Sequence, residues 1–333
     1  MVLACWDYDR TRPLMDGRVR PEGVGLTVIT LPPEECFWRM LRFREFDASE
    51  LSFAQYIRFR ASGDRSLIAI PVFLSRMFRH SGFYVRADSG IEYPKDLIGR
   101  RMGVPEYQMT AAVWMRALLQ HEYGVSPEEL TWYVARREEL KLPLDLPPQI
   151  RLHPLLPGQS LTGMLEAGEI DALMTARAPE SFRRGSSRIR RLFPDFRQAE
   201  AAYYTRTGLF PIMHLVVLKA ALHQAQPWIA RSLYKAFCQA KALCYRDLAE
   251  QAVAKVTLPW VVAEFEAAQQ ILGEDLWPYG LARNRACIEA LISYLEEQHL
   301  IPQKVAVEEL FADNTLEEFE TYMGGDHAYR GEA

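Results

Sequence analysis

Short apolar runs alternate with amphipathic stretches through the first third of the chain. The runs at residues 2–6, 24–31, 46–53 and 67–74 have the length and apolar content of buried strands. Between the second and third runs, Pro32 and Pro33 followed by two glutamates indicate the start of a helix. Strands that alternate with helices predict βαβ units and a largely parallel sheet.

A second series of strand and helix signals begins near residue 95. Its clearest element is a helix over residues 110–123, with Thr110 expected to cap its first turn and Gly124 expected to end it. The proline-rich stretch 141–158 predicts an irregular surface segment. Later periodicities predict a helix at 161–167, strands at 170–175 and 215–218, long helices at 227–248 and 286–300, and a disordered end at 324–333.

With 333 residues, about half of them apolar, the chain exceeds what one compact core usually holds. We expect an α/β fold of two lobes, each a mostly parallel sheet flanked by helices. Lobe 1 comprises residues 1–94 and 215–333, and lobe 2, residues 95–214, is inserted into it. Two crossings between the lobes would form a hinge with a ligand crevice beside it. Two independent domains would give the same periodicity.

Composition and charge argue against several classes of partner and site. The net charge of -4 and the lack of a Lys/Arg run argue against nucleic acid and membrane surfaces. No stretch approaches the ~18 apolar residues that span a bilayer, and no basic leader precedes an apolar run, so we expect a cytoplasmic protein. The five scattered cysteines predict buried, reduced thiols. The histidines show no metal-binding spacing, and a metal site assembled from distant segments is the alternative. A homo-oligomer is one candidate state.

Two segments place polar residues directly after predicted strands, where a crevice is expected. Asp9 and Arg10 follow the first strand, although a solvated turn with Asp–Arg pairs is an equal alternative. In the segment FDASELS (46–52), Glu50 is a candidate base or a residue that orients an arginine, and Ser52 is a candidate hydrogen-bond donor. A structural role is the alternative for Glu50, and capping of the next helix is the alternative for Ser52.

The segment PVFLSRMFRHS (71–81) holds Arg76, Arg79 and His80 within an otherwise apolar stretch. Buried arginines are costly unless they are paired. The planar guanidinium suits a carboxylate, which it binds through two parallel hydrogen bonds. We therefore expect at least one of these arginines to bind an anionic ligand, with scaffold Asp or Glu residues as the alternative partners.

Further candidates come from the predicted second lobe and from the return crossing. Tyr107, Gln108 and Thr110 lie at the start of the strongest helix, whose free N–H groups and dipole favour an anion. A carboxylate fits better than a nucleotide phosphate, because no Walker loop or GxGxxG is present. Arg177 follows the strand at 170–175. His214, in the return crossing, is either a crevice residue that exchanges protons or a core histidine.

Taken together, these segments resemble the 4,5-dihydroxyphthalate decarboxylases, a group within the type 2 periplasmic-binding-protein fold superfamily. The resemblance extends from near the start to about residue 220. It is carried by YDRT (8–11), FDASELS (46–52), PVFLSRMFRHS (71–81), GVPEYQMTA (103–111), Trp114 and TGLFPIMH (207–214).

The resemblance implies cofactor-independent conversion of 4,5-dihydroxyphthalate to protocatechuate and CO2, in phthalate breakdown. On this hypothesis Arg10, Arg76 and Arg79 hold the carboxylates of the small aromatic substrate. Asp9, Glu50 or His80 accepts a phenol proton, and His214 or His80 protonates the ring carbon. The rival hypotheses are a cytosolic protein that binds or senses a small carboxylate without turnover, and a biosynthetic enzyme for a heterocycle.

Overall fold

The computed structural model describes residues 1–135, 142–253 and 255–317. Its strands are β1 (Val2–Cys5), β2 (Thr27–Thr30), β3 (Ala48–Ser52), β4 (Leu67–Arg76), β5 (Phe83–Arg86), β6 (Arg101–Val104), β7 (Thr131–Val134), β8 (Arg151–Pro154), β9 (Ala172–Met174), β10 (Ile189–Arg191) and β11 (Ile212–Lys219). Its α-helices are α1 (Arg12–Met15), α2 (Pro33–Phe43), α3 (Phe53–Ala61), α4 (Thr110–Tyr123), α5 (Leu161–Ala167), α6 (Glu180–Arg183), α7 (Phe196–Thr207), α8 (Ala220–Ala225), α9 (Trp228–Ala249), α10 (Val261–Leu272) and α11 (Arg285–Glu297).

The strands form two mixed sheets, one in each lobe. The first has the order β2-β1-β3-β11-β4, in which β1 is parallel to β2 and β3, and β11 runs antiparallel to both of its neighbours. The second has the order β10-β5-β9-β6-β7-β8, with a parallel centre and antiparallel pairs at the β5 end. Helices flank both sheets, and the predicted two-lobed α/β fold is confirmed. The first sheet is not mostly parallel as predicted, because both pairings of β11 are antiparallel.

The lobe boundaries differ from those predicted. Because β5 already belongs to the second sheet, the first crossing lies at residues 77–82 rather than at residue 95. The return crossing lies at residues 208–211, so β11 and His214 belong to the first lobe. The two crossings run side by side, since the Met77 N–H donates to the Pro211 carbonyl at 3.1 Å.

The lobes are in contact beyond the crossings. On α4, the Trp114 indole N–H donates to the Ile212 carbonyl at 3.1 Å, and Arg116 Nε donates to Gln298 Oε1, just after α11, at 2.8 Å. The largest buried apolar cluster continues from the first sheet through α4 to the C-terminal helices. The other face of the first sheet packs against α9, through residues such as Leu233 and Phe237. The two lobes are therefore packed against each other in this structure.

The predictions for individual helices, caps and loops are partly confirmed. The bounds predicted for α4 and α5 are confirmed, and Gly124 ends α4 in a left-handed conformation. The expected capping role of Thr110 is wrong, because Met109 is the N-cap residue and Thr110 is already helical. Within the segment predicted to be irregular, residues 151–154 form the edge strand β8. The tail predicted to be disordered lies outside the described residues.

All five cysteines are buried and free of disulfides, as predicted. Within the described ranges, no helix combines the length and apolar character that crossing a membrane requires.

Candidate functional site

Glu50 is the centre of a hydrogen-bonded cluster at the end of the first sheet. Its side chain is fully buried on β3. One carboxylate oxygen accepts the Tyr8 O–H at 2.6 Å and lies 2.7 Å from His214 Nδ1, and the other accepts the Trp6 N–H at 2.9 Å. Three segments, from positions 6–8, 50 and 214, thus meet at one carboxylate.

The sheet register explains why these segments meet. Ser52 on β3 lies opposite His214 on β11, so the two side chains share a face of the sheet. Glu50 is two residues before Ser52 and is therefore the diagonal neighbour of His214. Because β1 runs parallel to β3, the residues that follow β1 emerge at the same end of the sheet. Trp6 and Tyr8 thereby reach Glu50.

Opposing effects set the charge state of Glu50. Burial raises the pKa of its carboxyl, but the contact with His214, and then those with Tyr8 and the Trp6 N–H, outweigh burial, so the pKa lies below its ordinary value. The pKa of Tyr8 is raised well above normal by burial and by the negative charge of Glu50, so its phenol remains a donor. The cluster therefore holds an ionised carboxylate at neutral pH.

An ionised Glu50 fixes the orientation of His214. The carboxylate accepts a hydrogen bond from Nδ1–H, which leaves Nε2 as the ring nitrogen that can exchange a proton with a ligand. One fifth of the His214 side chain is exposed, whereas Glu50 is not exposed at all. Phe37 of α2 packs edge-on against the imidazole, with ring centroids 4.9 Å apart. Glu50 therefore orients a histidine rather than an arginine.

Next to His214, the first turns of two helices from different lobes meet. Ser52 Oγ, before α3, lies 2.9 Å from Thr110 Oγ1 in the first turn of α4, and Thr110 Oγ1 also accepts the Ala54 N–H at 3.1 Å. Helix N-termini carry partial positive charge. The structure thus brings together the predicted residues Ser52, Thr110, Glu50 and His214 at the boundary between the lobes.

Arg76 has a different role from the one predicted. Its guanidinium donates to the carbonyls of Phe210 and Pro278, each at 2.9 Å, and to Asn284 Oδ1. The side chain is almost wholly buried, and burial lowers its pKa. A guanidinium that already serves three protein acceptors argues against Arg76 as a substrate clamp. It anchors the segment before α11 to the end of β4.

Arg10 and Asp9 form a pair with each other, which was the structural alternative. Arg10 Nη1 lies 3.0 Å from the Asp9 carboxylate, and Nη2 donates to the Leu74 carbonyl. The guanidinium lies between the rings of Tyr8 and Trp277, 4.3 and 4.0 Å from their centroids. Arg10 therefore supports Tyr8, which in turn contacts Glu50, and the Arg10 pairing argues against Asp9 as a proton acceptor.

Arg79 and His80 lie in the first crossing. The Arg79 guanidinium is near Glu200, and burial lowers its pKa to about 10. The His80 ring is 2% exposed and lies among Phe193, Tyr203 and Tyr123, at centroid distances of 5.1, 5.6 and 6.4 Å.

Burial, with a smaller effect of Arg206, lowers the pKa of His80 to about 4. His80 is therefore neutral at pH 7 within an aromatic cluster. This environment argues against both acid–base roles predicted for His80.

The remaining predicted residues belong to the second lobe. Tyr107 is buried, and its ring lies 3.7 Å from the Arg116 guanidinium carbon. Gln108 donates from Nε2 to the Leu142 carbonyl at 3.1 Å. Arg177 is exposed and pairs with Glu34 of α2 at 2.7 Å. Of these three predicted residues, Arg177 is the one placed toward the first lobe.

Sequence reasoning missed Tyr8, Phe37 and Glu34. Tyr8 belongs to the segment YDRT, in which the charged residues are the stronger signal for ligand binding. Phe37 reads as an ordinary apolar position of an amphipathic helix, and nothing local indicates its contact with His214. Among the described residues, no three His, Cys, Asp or Glu side chains are grouped closely enough to hold a metal ion.

Two curated proteins are similar to this chain. A protein of Comamonas testosteroni named 4,5-dihydroxyphthalate decarboxylase is 39% identical over 323 residues, which cover 96% of this chain and 98% of the relative. A Pseudomonas putida protein of the same name is 40% identical over 208 residues, which cover 61% of this chain and 81% of the relative. The chain belongs to the 4,5-dihydroxyphthalate decarboxylase family.

Family membership confirms the resemblance inferred from the motifs. Three of the family-like segments, YDRT (8–11), FDASELS (46–52) and TGLFPIMH (207–214), are the ones that meet at Glu50. A family model described as NMT1/THI5 like also matches residues 73–140.

Solved structures with low sequence identity show the fold. The periplasmic aliphatic sulphonate binding protein SsuA of Escherichia coli has a TM-score of 0.55 and 15% identity, covering 95% of this chain and 98% of its own. A periplasmic sulfonate-binding SsuA of Methylobacillus flagellatus has a TM-score of 0.57 and 14% identity, covering 96% of both chains. These likenesses confirm the predicted periplasmic-binding-protein-like fold of this family member.

Proposed function

We propose that this protein is a carboxy-lyase that converts 4,5-dihydroxyphthalate to protocatechuate and CO2. Family membership supplies the substrate, and the observation that carries the mechanism is the buried Glu50 carboxylate 2.7 Å from His214 Nδ1. A small aromatic dicarboxylate is accordingly the expected ligand. The cytoplasmic location stays a prediction.

The reaction replaces one ring carboxylate with a proton. Each carboxylate of the substrate is para to a hydroxyl, so a phenolate can push an electron pair toward the carbon that carries the departing group. Protonation of that carbon gives a dienone. The carbon–carboxylate bond then breaks, CO2 leaves, and its electron pair restores the aromatic ring. The phenol supplies the electrons, so these steps are not routed through a cofactor.

His214 is the proposed acid for the ring carbon. An imidazolium that donates from Nε2 is stabilised by the Glu50 carboxylate on Nδ1, and Glu50 keeps the ring in one tautomer and orientation. Tyr8 and the Trp6 N–H hold the carboxylate in place from the other side. Glu50 is enclosed, so it acts through His214 and does not touch the substrate.

The helix N-termini that meet beside His214 favour an anion without a strong grip on the leaving carboxylate. The first turns of α3 and α4 present partial positive charge there, at the Ser52–Thr110 contact. Tight binding of the departing carboxylate would stabilise the ground state and slow its loss. We therefore expect the stronger cationic contact to fall on the carboxylate that is retained.

The direct test is turnover by the purified full-length protein. Incubation with 4,5-dihydroxyphthalate and no added cofactor should yield protocatechuate and CO2 in equal amounts. His214→Ala should lower kcat by about 10²–10⁴-fold, the usual contribution of general acid–base catalysis, while binding persists.

His121→Ala is the matched control, because His121 also pairs with a glutamate, Glu297, at 2.8 Å but lies outside this cluster. Tight binding without product would instead favour a binding or sensor protein. Full turnover by the His214 variant would remove His214 from the acid role.

A further inference from the structure

An ion pair joins the two lobes beside the proposed site. Arg177 follows β9 in the second lobe, and Glu34 lies in the first turn of α2 in the first lobe. Arg177 Nη2 is 2.7 Å from Glu34 Oε1, and the two side chains are 69% and 45% exposed. Both partners are thus accessible to solvent and to a ligand.

The helix periodicity locates this pair relative to His214. Glu34 and Phe37 are three residues apart on α2, so they lie on the same face, about 4.5 Å apart along the helix axis. Phe37 packs on the His214 imidazole at a centroid distance of 4.9 Å. Glu34, the partner of Arg177, is therefore about one helical turn from Phe37, which contacts the proposed acid.

Arg177 differs from Arg10 and Arg76 in its own exposure, since 69% of its side chain is accessible whereas theirs are buried. Arg76 donates to buried backbone carbonyls, and Arg10 is enclosed between two aromatic rings. The partner of Arg177 is an exposed carboxylate on a flexible side chain, which is the same chemical group that the proposed substrate carries. Guanidinium groups bind any suitably placed carboxylate through their planar fork.

We propose that Glu34 is an internal competitor for the substrate: it pairs with Arg177 until the carboxylate that the substrate retains displaces it. The identity of the ligand rests on the proposed function. The exchange replaces one carboxylate by another, so Arg177 keeps a partner throughout. An exposed ion pair is weak, so its loss opposes binding only slightly. Glu34 thereby weakens the binding of ligands that use Arg177 and leaves ligands without a carboxylate unaffected.

Glu34→Gln should tighten binding. The uncharged amide competes less well for Arg177, and by the usual strength of an exposed pair the Kd of 4,5-dihydroxyphthalate should fall by about two- to fivefold. Titration calorimetry on the full-length protein measures this. Glu35→Gln is the matched control, because Glu35 is the next residue of α2, carries the same charge and pairs with Arg39 at 3.1 Å instead.

Two further comparisons separate competition from a general charge effect. In an Arg177→Gln background, Glu34→Gln should no longer tighten binding, because the contested guanidinium is absent. Catechol, which lacks carboxylates, should bind no more tightly to Glu34→Gln than to the unmodified protein.

An unchanged or higher Kd in Glu34→Gln, or equal tightening in Glu35→Gln, would overturn the proposal. If product forms but Glu34→Gln leaves the Kd unchanged, only this inference is rejected. If Glu34→Gln lowers the Kd but no product forms, only the proposed function is rejected.

Discussion

The sharpest prediction concerns Glu50→Gln, which keeps the shape of the side chain but removes its charge. Three donors converge on the carboxylate, the Trp6 N–H on one oxygen and Tyr8 and His214 on the other. A glutamine offers one acceptor oxygen and an NH2 group that donates. In either orientation of the amide, at least one of the three donors meets another donor, and no negative charge faces the imidazolium.

The expected loss of kcat in Glu50→Gln follows from the lost contact with His214. A hydrogen bond to a charged group contributes about 1.5–3 kcal/mol. Since about 1.4 kcal/mol corresponds to a tenfold change in rate, kcat should fall by roughly 10- to 150-fold. KM should change by less than about threefold, because Glu50 is fully buried and does not touch the ligand.

The assay is steady-state formation of protocatechuate, followed by chromatography, at several pH values. Tyr8→Phe is the graded comparison, because it removes one donor to Glu50 and keeps the charge and the contact with His214. Its kcat should lie between those of the unmodified protein and Glu50→Gln. A folded Glu50→Gln protein with kcat within threefold of the unmodified protein would refute the role of Glu50.

Stability against pH gives an independent check on the charge of Glu50. Its folded-state pKa is depressed, because the contacts with His214 and then Tyr8 outweigh the opposing effect of burial. The ionised carboxylate therefore contributes stability that is fully present above the unfolded pKa, about 4.3. That contribution is lost as the pH falls through the folded value. The acid-induced loss of stability in urea unfolding should be smaller for Glu50→Gln than for the unmodified protein.

Three further predictions concern groups that the structure assigns to folding or to lobe contact. His80→Phe should keep kcat within about twofold of normal in the product assay, because His80 is neutral, with a pKa of about 4, among aromatic rings; a large loss of kcat would restore its catalytic role. Arg76→Met should lower the free energy of unfolding by about 3 kcal/mol or more, because its buried acceptors lose their donor; urea unfolding with a change below 1 kcal/mol would contradict this. Thr110→Val should cost about 1–3 kcal/mol in the same measurement, because the Ala54 N–H loses its acceptor, and an unchanged midpoint would count against that contact.

The sequence predicts elements well where one local pattern decides them. The α4 helix was predicted at its true bounds, because its apolar face is continuous and Gly124 can adopt the left-handed conformation that ends it. The first crossing was misplaced, because β5 is only four residues long and its apolar residues do not reveal which sheet it joins. Sheet membership depends on pairing with β9 and β10, far along the chain.

Long-range pairing also limits what could be predicted of the site. Glu50 and His214 were both candidates, but they are 164 residues apart, and only the antiparallel register of β3 and β11 makes them neighbours. The sequence does predict that burial of Arg76 requires partners. It does not identify those partners, because the carbonyls of Phe210 and Pro278 lie 134 and 202 residues away and leave no signature in the sequence.

The residues of the proposed site are divided between the two lobes, and the two groups have different roles. Glu50, Tyr8 and His214 all belong to the first lobe, through β1, β3 and β11 and the turn that follows β1, so their arrangement does not depend on the position of the second lobe. Thr110 and Arg177 come from the second lobe, and they contact Ser52 and Glu34 of the first lobe. The proposed acid is thus preorganised within one lobe, whereas the contacts of Thr110 and Arg177 depend on the packing of the two lobes against each other. Changes at the inter-lobe contacts should therefore alter KM, and changes in the Glu50 cluster should alter kcat.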